Sequence, residues 1–406
     1  MKRAWEAPTS LHVSKKKTKA TTATKAGDKL TVHSKTTSVY RTQLVCSILS
    51  QRPVVFNNIR EDAETPGLTD AEIAFAKLLA MLTNGTKLSI NETATRLSFA
   101  PGVPTGGVAN LKVDSAVNLG WLIEGLLPLA PFCKDSMRVT VSGGITDSDD
   151  EIGINFIRSV SLRLLEKFGV FGATLDCTQR GFPPNGGGSV TFSCPIVRKH
   201  LTIPTDLDNC ELRVLRIRGV AQSSRVNPQL ANRVATQART DLEKFATDVF
   251  INTDCRSSRT RDAGESPGYG LSLWCELVDP KLAETTHSDK LPPTSVLGVA
   301  GAYQDADSDS PENIGSRVSK MLLKQIALKG SIDVFNQSLV IMLMATSPEE
   351  AVRCNVGMEL SKHAIGTLRV VDQFLGVRFN ITRSPSGQVL LACVGNGVGN
   401  FARKVT

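Results

Sequence analysis

Apolar residues recur along the chain at two spacings, and their order predicts the same structural unit three times. Steps of three and four residues are typical of helices with one buried face, and short apolar runs between turn residues are typical of buried strands. Each predicted unit has the order helix, strand, helix, strand, strand. The first contains a helix with Leu44, Ile48 and Leu49, a strand over 54–59, a helix from about Thr69, and strands over 87–91 and 95–99.

The second and third units begin at about residues 115 and 315. In both units a phenylalanine, Phe168 or Phe374, ends the second helix, and a glycine follows within two residues. The shared order of elements is therefore more typical of a repeat than of chance. The second unit contains a helix with Leu119, Leu122 and Leu126, a strand over 137–141, a helix over 157–168, and strands over 173–178 and 189–193. The third contains a helix with Val318, Leu322 and Ile326, a strand over 338–345, a helix over 361–374, and strands over 377–382 and 388–393.

Extra sequence between the second and third units predicts a smaller inserted α+β domain over 197–312. Its stretch 280–310 is dense in Asp, Ser, Thr, Pro and Gly, which predicts a mobile loop. The predicted fold class is α+β, with three repeats of two helices on a four-stranded sheet plus the inserted domain. The repeats occupy 39–196 and 313–406, and the elements of the insert are strands over 212–220, 247–252 and 269–276 and a helix over 227–246.

The first 38 residues differ from the rest in charge. They hold nine Lys or Arg and two acidic residues, so this segment carries +7 of the chain's net charge of +8. It has few large apolar residues to offset chain entropy, and we predict a disordered basic tail over 1–38. Its cluster over 15–19 is typical either of a nuclear address or phosphate-binding arm, or of a solubilising tail.

Composition and spacing exclude several classes of protein. No apolar run reaches the roughly 18 residues of a membrane span. The nine cysteines are scattered without a C-x-x-C pair, which argues against a disulfide framework and a zinc ribbon and favours reduced thiols. No two of the five histidines stand at ligand spacing, and no G-x-x-x-x-G-K-[ST] motif is present. We therefore expect no metal and no cofactor.

Three features could carry chemistry. The loop over 180–188 contains three consecutive glycines, whose amides could form an anion-binding nest, although a wide hairpin turn explains the same residues. The acidic run over 147–151 could chelate a cation, but it is more typical of a cap on the following helix. His363 begins a predicted helix, where it is either structural or a nucleophile or base.

Several of these stretches together resemble the RNA terminal phosphate cyclase superfamily. The resemblance rests on the glycine-rich loop, the threefold unit with its insertion, Pro66-Gly67-Leu68 before a helix, and Val141-Ser142-Gly143-Gly144. It extends over about residues 40–400 and implies three cyclase repeats with an inserted α+β domain. The hydrophobic pattern predicts the same organisation independently.

The superfamily has two branches with different implied functions. True cyclases activate an RNA end through a covalent histidine–adenylate. The cyclase-like branch lacks that chemistry and serves nucleolar small-subunit ribosomal RNA processing together with a ribosome-biogenesis GTPase. The stretches 180–184, 223–228 and 266–271 resemble this second branch more.

The residues around the implied active site also depart from those of working cyclases. Cyclases have a basic helix start where this chain has Asp70 and Glu72, so like charges lie where RNA phosphate would sit. The proline that serves the nucleotide after Gly143-Gly144 is missing, and Glu124 replaces a glutamine. In contrast, His363 falls where the cyclase nucleophile falls.

The resemblance therefore implies a catalytically inactive cyclase homologue that acts in the nucleus and nucleolus as an assembly factor in small-subunit pre-rRNA processing. The implied partners are a ribosome-biogenesis GTPase, pre-ribosomal RNA and processome proteins, with no membrane. The alternative is an ATP-dependent RNA terminal phosphate cyclase with His363 as its nucleophile. The residues expected to face a ligand or RNA are Arg41, Arg60, Arg180, Gly186, Gly187 and Gly188.

Overall fold

The chain folds into helices packed on several separate sheets, and this confirms the predicted α+β class. A computed structural model describes residues 30–33, 38–149, 151–198, 200–281, 293–302 and 310–401. None of the helices in these ranges is long and apolar enough to cross a membrane.

Helices of this part of the chain alternate with strands in each unit. The helix α4 is continuous but changes its winding, with an α-helical turn at Ile154–Phe156, a π-helical stretch at Ile157–Ser161 and an α-helical end at Leu162–Lys167. The others are α1 (Tyr40–Ser50), α2 (Asp70–Met81), α3 (Leu119–Leu126), α5 (Pro228–Leu242), α6 (Pro311–Ala327), α7 (Gln337–Thr346) and α8 (Lys362–Leu375), with a short 3₁₀ turn at Ala130–Phe132.

The strands are short in the repeated units and longer in the insert. They are β1 (Leu30–His33), β2 (Val54–Asn57), β3 (Thr83–Asn84), β4 (Lys87–Ile90), β5 (Leu97–Ala100), β6 (Val103–Pro104), β7 (Gly107–Lys112), β8 (Met137–Ser142), β9 (Thr174–Gln179), β10 (Ser189–Cys194), β11 (Arg213–Ser224), β12 (Val249–Arg256), β13 (Gly268–Val278), β14 (Ser295–Ala302), β15 (Ala351–Asn355), β16 (Asn380–Arg383) and β17 (Val389–Val394).

The repeated units form related sheets. Their strand orders are β1-β2-β5-β4, β7-β8-β10-β9 and β15-β17-β16. In the first two sheets an extra edge strand runs parallel to its neighbour, and the other pairs are antiparallel. The third sheet has three strands among the described residues, so the prediction of four strands in every unit is wrong there. A segment without regular secondary structure contacts the edge strand β15, where the Asn355 amide donates to the Leu207 carbonyl over 2.7 Å.

The predicted strand over 338–345 is wrong, because this segment is the helix α7. Every residue of α7 is buried. A helix that is apolar on all sides has no 3.6-residue period, so its sequence cannot be told from that of a buried strand. In the third unit the strand between the two helices is β15, which follows α7. The hydrophobic pattern did not predict this strand.

Two further predictions are wrong in part. The stretch predicted as a mobile loop contains β14, whose Leu297 and Val299 are buried in a core, and residues 282–292 and 303–309 lie outside the described residues. The predicted disordered tail contains β1, which pairs in parallel with β2, and residues 1–29 and 34–37 lie outside the described residues. In both segments a neighbouring strand supplies hydrogen-bond partners that composition does not reveal.

The inserted domain is a four-stranded sheet with the order β12-β11-β13-β14. The strands β11 and β12 are parallel and are joined through α5, and the remaining pairs are antiparallel. A second hydrophobic cluster lies between this sheet and the helices α5 and α6, separate from the main cluster that the repeats share.

The boundaries between the core of the repeats and the core of the inserted sheet do not lie at the predicted residues. Buried Ile314, Val318 and Leu322 of α6 lie in the second cluster, so this helix covers the inserted sheet and not the third repeat. Leu201 and Leu207 lie in the main cluster, although the predicted insert begins at residue 197. An amphipathic period shows that a helix has a buried face, but not which sheet it covers.

Truncation of Leu322 tests this assignment. We expect Leu322→Ala to lower the free energy of unfolding by about 2–5 kcal/mol, because a fully buried side chain leaves a cavity. Amide hydrogen exchange should speed up in β11 and β13 and stay unchanged in β15 and β17. The matched control is Leu343→Ala in α7, which should give the reverse pattern. Faster exchange of β15 and β17 in Leu322→Ala would place α6 with the third repeat.

Candidate functional site

Residues from all three repeats meet at one cleft of about 540 Å³. Its walls come from α1, α2, α3 and the first turn of α8. The lining residues are Ser38, Arg41, Arg60, Thr69, Ala71, Glu72, Ala116, Asn118, Trp121, Glu151 and His363. Three of the residues expected to face a ligand or act on it, Arg41, Arg60 and His363, are therefore brought together.

His363 lies at the start of α8 and is half-buried. Ser361 caps this helix by accepting a hydrogen bond from the Ala364 amide over 3.0 Å, which fixes where the first turn begins. Burial lowers the pKa of His363 below its usual value, the Glu124 carboxylate opposes this shift, and Arg41 adds to it. The imidazole is therefore mostly neutral at pH 7. Within the described part of the chain it has no hydrogen bond or ion pair.

Arg41 is held on three sides. Its guanidinium group pairs with Glu124 over 2.8 Å, lies 4.3 Å from the ring centre of Trp121 and donates a hydrogen bond to the carbonyl of the same tryptophan. Glu124 follows Trp121 by three residues in α3, so both lie on one helix face and clamp the arginine together. A space of only about 30 Å³ lies beside this pair and His363, which is room for a water molecule.

Arg60 is held in the same manner on the other wall. Its side chain donates to both carboxylate oxygens of Glu72, and its Nε donates to the Gly67 carbonyl over 2.8 Å. Glu72 also completes a capping box with Thr69, whose amide donates to the carboxylate over 2.8 Å. Glu72 lines the cleft but is only 4% exposed, and Arg60 neutralises its charge, so it is not the free carboxylate that we expected there. Asp70 is exposed.

The electrostatics of the cleft disfavour phosphate. Both arginines of the lining are ion-paired, Arg60 with Glu72 and Arg41 with Glu124, and the lining carries the two carboxylates Glu72 and Glu151 against two guanidinium groups. A phosphate would enter a wall without net positive charge and would have to compete with internal partners for each arginine. Trp121, which sequence reasoning missed, is the residue that makes the Arg41 pair rigid.

Arg180 lies away from the cleft and is 1% exposed. It pairs with Asp147 over 2.6 Å and with Asp254 of β12 over 2.8 Å. Burial alone would lower the pKa of Arg180, but the two carboxylates raise it above its usual value, so the residue stays charged. It joins the second repeat to the inserted sheet and has no surface from which to contact a ligand.

The glycine-rich loop uses its amides internally. The amides of Gly186, Gly187 and Gly188 donate to the carbonyls of Phe182, Gly143 and Gly144 over 3.0, 2.9 and 2.7 Å. An anion nest needs such amides to be available, so the geometry favours the turn interpretation of this loop. None of the three glycines lines the cleft.

The acidic run does not cap α4 with its side chains. Gly153 is the N-cap of this helix, and no side chain caps it. Two carboxylates of the run bind arginines elsewhere in the chain: Asp147 pairs with Arg180, and Asp149 pairs with Arg317 of α6. The run therefore ties the second repeat to the insert. No group of three or more His, Cys, Asp or Glu in the described residues could hold a metal ion.

Comparison with known proteins identifies close relatives across nearly the whole chain. The family model described as RNA 3′-terminal phosphate cyclase matches residues 32–381. A mouse "RNA 3′-terminal phosphate cyclase-like protein" is 37% identical over 372 residues, which cover 89% of this chain and 95% of the relative. A cyclase-like protein of Dictyostelium discoideum is 36% identical over 374 residues, covering 90% of this chain and 97% of the relative. An "rRNA processing protein" of Schizosaccharomyces pombe is 32% identical over 366 residues, covering 89% and 95%.

Substitution of Gly187 tests the turn interpretation of the loop. Gly187 has a φ of +75°, and an added Cβ atom would lie 2.7 Å from the Glu265 amide nitrogen. We expect Gly187→Val to lower the free energy of unfolding by at least the roughly 1–3 kcal/mol of a strained backbone. Gly387→Val is the control, because Gly387 has a φ of +91° with open space around it. Equal losses in thermal unfolding would show that the close contact has no role.

Removal of the buried guanidinium group tests the Arg180 link. Arg180→Met leaves the Asp147 carboxylate buried without its partner, and we expect a loss of about 3–5 kcal/mol in denaturant unfolding. The double variant Arg180→Met with Asp147→Asn should recover part of this loss, because the unpaired charge is then gone. A double variant as unstable as the single one would contradict a charge-pairing role.

Proposed function

Because the chain belongs to the cyclase-like branch of the RNA 3′-terminal phosphate cyclase family, we propose that it serves ribosome biogenesis as a non-catalytic assembly factor. Its work is to support pre-rRNA processing for the small ribosomal subunit. The S. pombe relative, which this chain matches over 95% of that protein's length, carries the name of an rRNA processing protein.

One observation in the cleft supports the part of this proposal that says the protein is not catalytic. The arginines beside His363 are bound to Glu124 and Glu72, and the Arg41 pair is stacked on Trp121. Adenylylation and phosphate cyclisation both need positive groups that hold phosphates while the nucleophile attacks. A nucleotide at His363 would have to break the Arg41–Glu124 pair and leave a half-buried carboxylate without its partner.

The proposed partners follow from the branch resemblance. They are a ribosome-biogenesis GTPase, pre-ribosomal RNA and processome proteins, and the proposed location is the nucleus and nucleolus. The basic cluster over 15–19 is consistent with a nuclear address or an RNA-binding arm, and it lies outside the described residues. No cofactor is part of the proposal.

An ATP-dependent cyclase remains the second candidate, and His363 is the observation in its favour. The ring lies in the cleft at the start of a helix, and its lowered pKa keeps it neutral at pH 7, as a nucleophile requires. Under this alternative, nucleotide binding opens the Arg41–Glu124 pair and turns Arg41 to the phosphates.

Nucleotide labelling with matched histidine variants decides between the two. Wild type, His363→Ala and His200→Ala are incubated with radiolabelled ATP, and the adducts are detected on gels and by mass. We expect no adduct on any of them, and full support of pre-rRNA processing by His363→Ala in depleted cells. His200 is the control because it is a described histidine outside the cleft. A wild-type adduct that survives in His200→Ala and vanishes in His363→Ala would establish the enzyme.

A further inference from the structure

The inserted sheet has one face that packs on α5 and α6 and an opposite, second face that is only partly covered. Its first face packs on α5 and α6 through alternate residues such as Ile217, Ile251 and Leu273. On the second face α4 lies over β14, where Gly298 lets it approach closely; an added Cβ atom would lie 2.6 Å from Val160. This helix does not extend over Phe250 of β12, which is 54% exposed.

A row of three side chains crosses this second face at one level. Strand register pairs Arg218 with Phe250 on one side and with Trp274 on the other. Neighbouring residues in a sheet lie close together on one face, so the three form a continuous strip. The strip runs from the exposed edge strand β12 to Trp274, which packs against the main cluster.

Positive charge surrounds this strip. Arg216 and Arg163 both pair with Glu276, and Arg218 forms a two-pronged pair with the exposed Asp248 over 2.7 and 2.8 Å. Exposed Arg158 of α4 lies toward the same face, because it donates over 3.2 Å to Asn155, whose side-chain amide donates over 3.4 Å to Gln222 of β11. Four guanidinium groups thus face two carboxylates, a net charge of +2 on a chain whose folded part is nearly neutral.

We propose that this surface, which we call the open face (Arg158, Arg163, Arg216, Arg218, Phe250 and Trp274), binds single-stranded RNA. A base stacks on the Phe250 ring, and the backbone phosphates lie along the arginines. This combination of an exposed aromatic ring and a basic groove is how proteins bind single strands with little sequence preference. The inference rests on the proposed association with pre-ribosomal RNA and names the surface that carries it.

The chemistry of the open face favours RNA over a protein partner. A protein hot spot is a desolvated pocket around a buried anchor, whereas Phe250 stands alone on an edge strand among arginines. The carboxylate of Asp248 is 53% exposed, so exchanging it for a phosphate on Arg218 costs little desolvation. The Arg41–Glu124 pair, whose side chains are only 11% and 15% exposed, lacks this freedom.

Two matched phenylalanines give the test. Binding of a fluorescent oligouridylate of about 12 nucleotides to the full chain is measured by anisotropy. We expect Phe250→Ala to weaken the affinity by roughly five- to hundredfold, the range of one lost stacking contact. Phe245→Ala should leave it unchanged, because Phe245 is equally exposed, at 51%, but lies in the turn that follows α5 and not in the sheet. The basic tail contributes equally to both variants and cancels in the comparison.

Salt dependence gives a second readout. Arg158→Gln should reduce the slope of log affinity against log salt by about 0.7, which is one phosphate contact on a single strand. Equal affinities of Phe250→Ala and Phe245→Ala, or no binding by the wild type, would overturn the proposal. Capture of a protein through Phe250 without RNA would do so as well. These outcomes are independent of the ATP-labelling and pre-rRNA assays, so the open face can fail while the proposed function stands.

Discussion

The buried ion cluster at Arg180 is the interaction on which the arrangement of the molecule depends. A guanidinium group that is 1% exposed is tolerable only because Asp147 of the second repeat and Asp254 of the inserted sheet both neutralise it. The hydrogen bond from Gln222 of β11 to Asp147, over 3.0 Å, adds a further tie. These contacts fix the inserted sheet against the second repeat, and the hydrogen bond from Asn155 of α4 to Gln222, over 3.4 Å, ties that helix to the same place. This placement decides which part of the sheet is covered.

The same rule, that a charge removed from water must find a partner, shapes the cleft. Arg41 and Arg60 are bound to Glu124 and Glu72, so the positive groups that the sequence offers to a phosphate are used inside the protein. In the cyclase family this position implies phosphate chemistry, but here the cleft walls are internally neutralised. The proposed scaffold role rests on this pairing and not on loss of His363, which is still present. Under the proposal for the open face, the positive charge that meets RNA lies on the inserted sheet.

Glycines decide several of the close approaches between units. Gly186 and Gly188 let the loop pack onto the backbone of Gly144, and Gly298 lets α4 lie on β14. The glycine-rich loop thus packs closely against a neighbouring backbone segment. The amides that suggested an anion site donate to backbone carbonyls within the protein. A motif can therefore be recognised correctly while its physical role differs from the one that its composition suggests.

The sequence by itself determined the α+β class, the order of elements in the first two units and the family, because hydrophobic periodicity and local motifs are properties of neighbouring residues. It also identified Glu124 and His363 as positions of interest. Only the tertiary structure decided that Arg180 is buried, that α6 covers the inserted sheet, that residues 337–346 form a helix and that Phe250 lies beside Arg218. Each of these features depends on which distant segment of the chain packs against the residue. That segment, and not the local spacing of residues, decides whether a charge or an apolar run is buried.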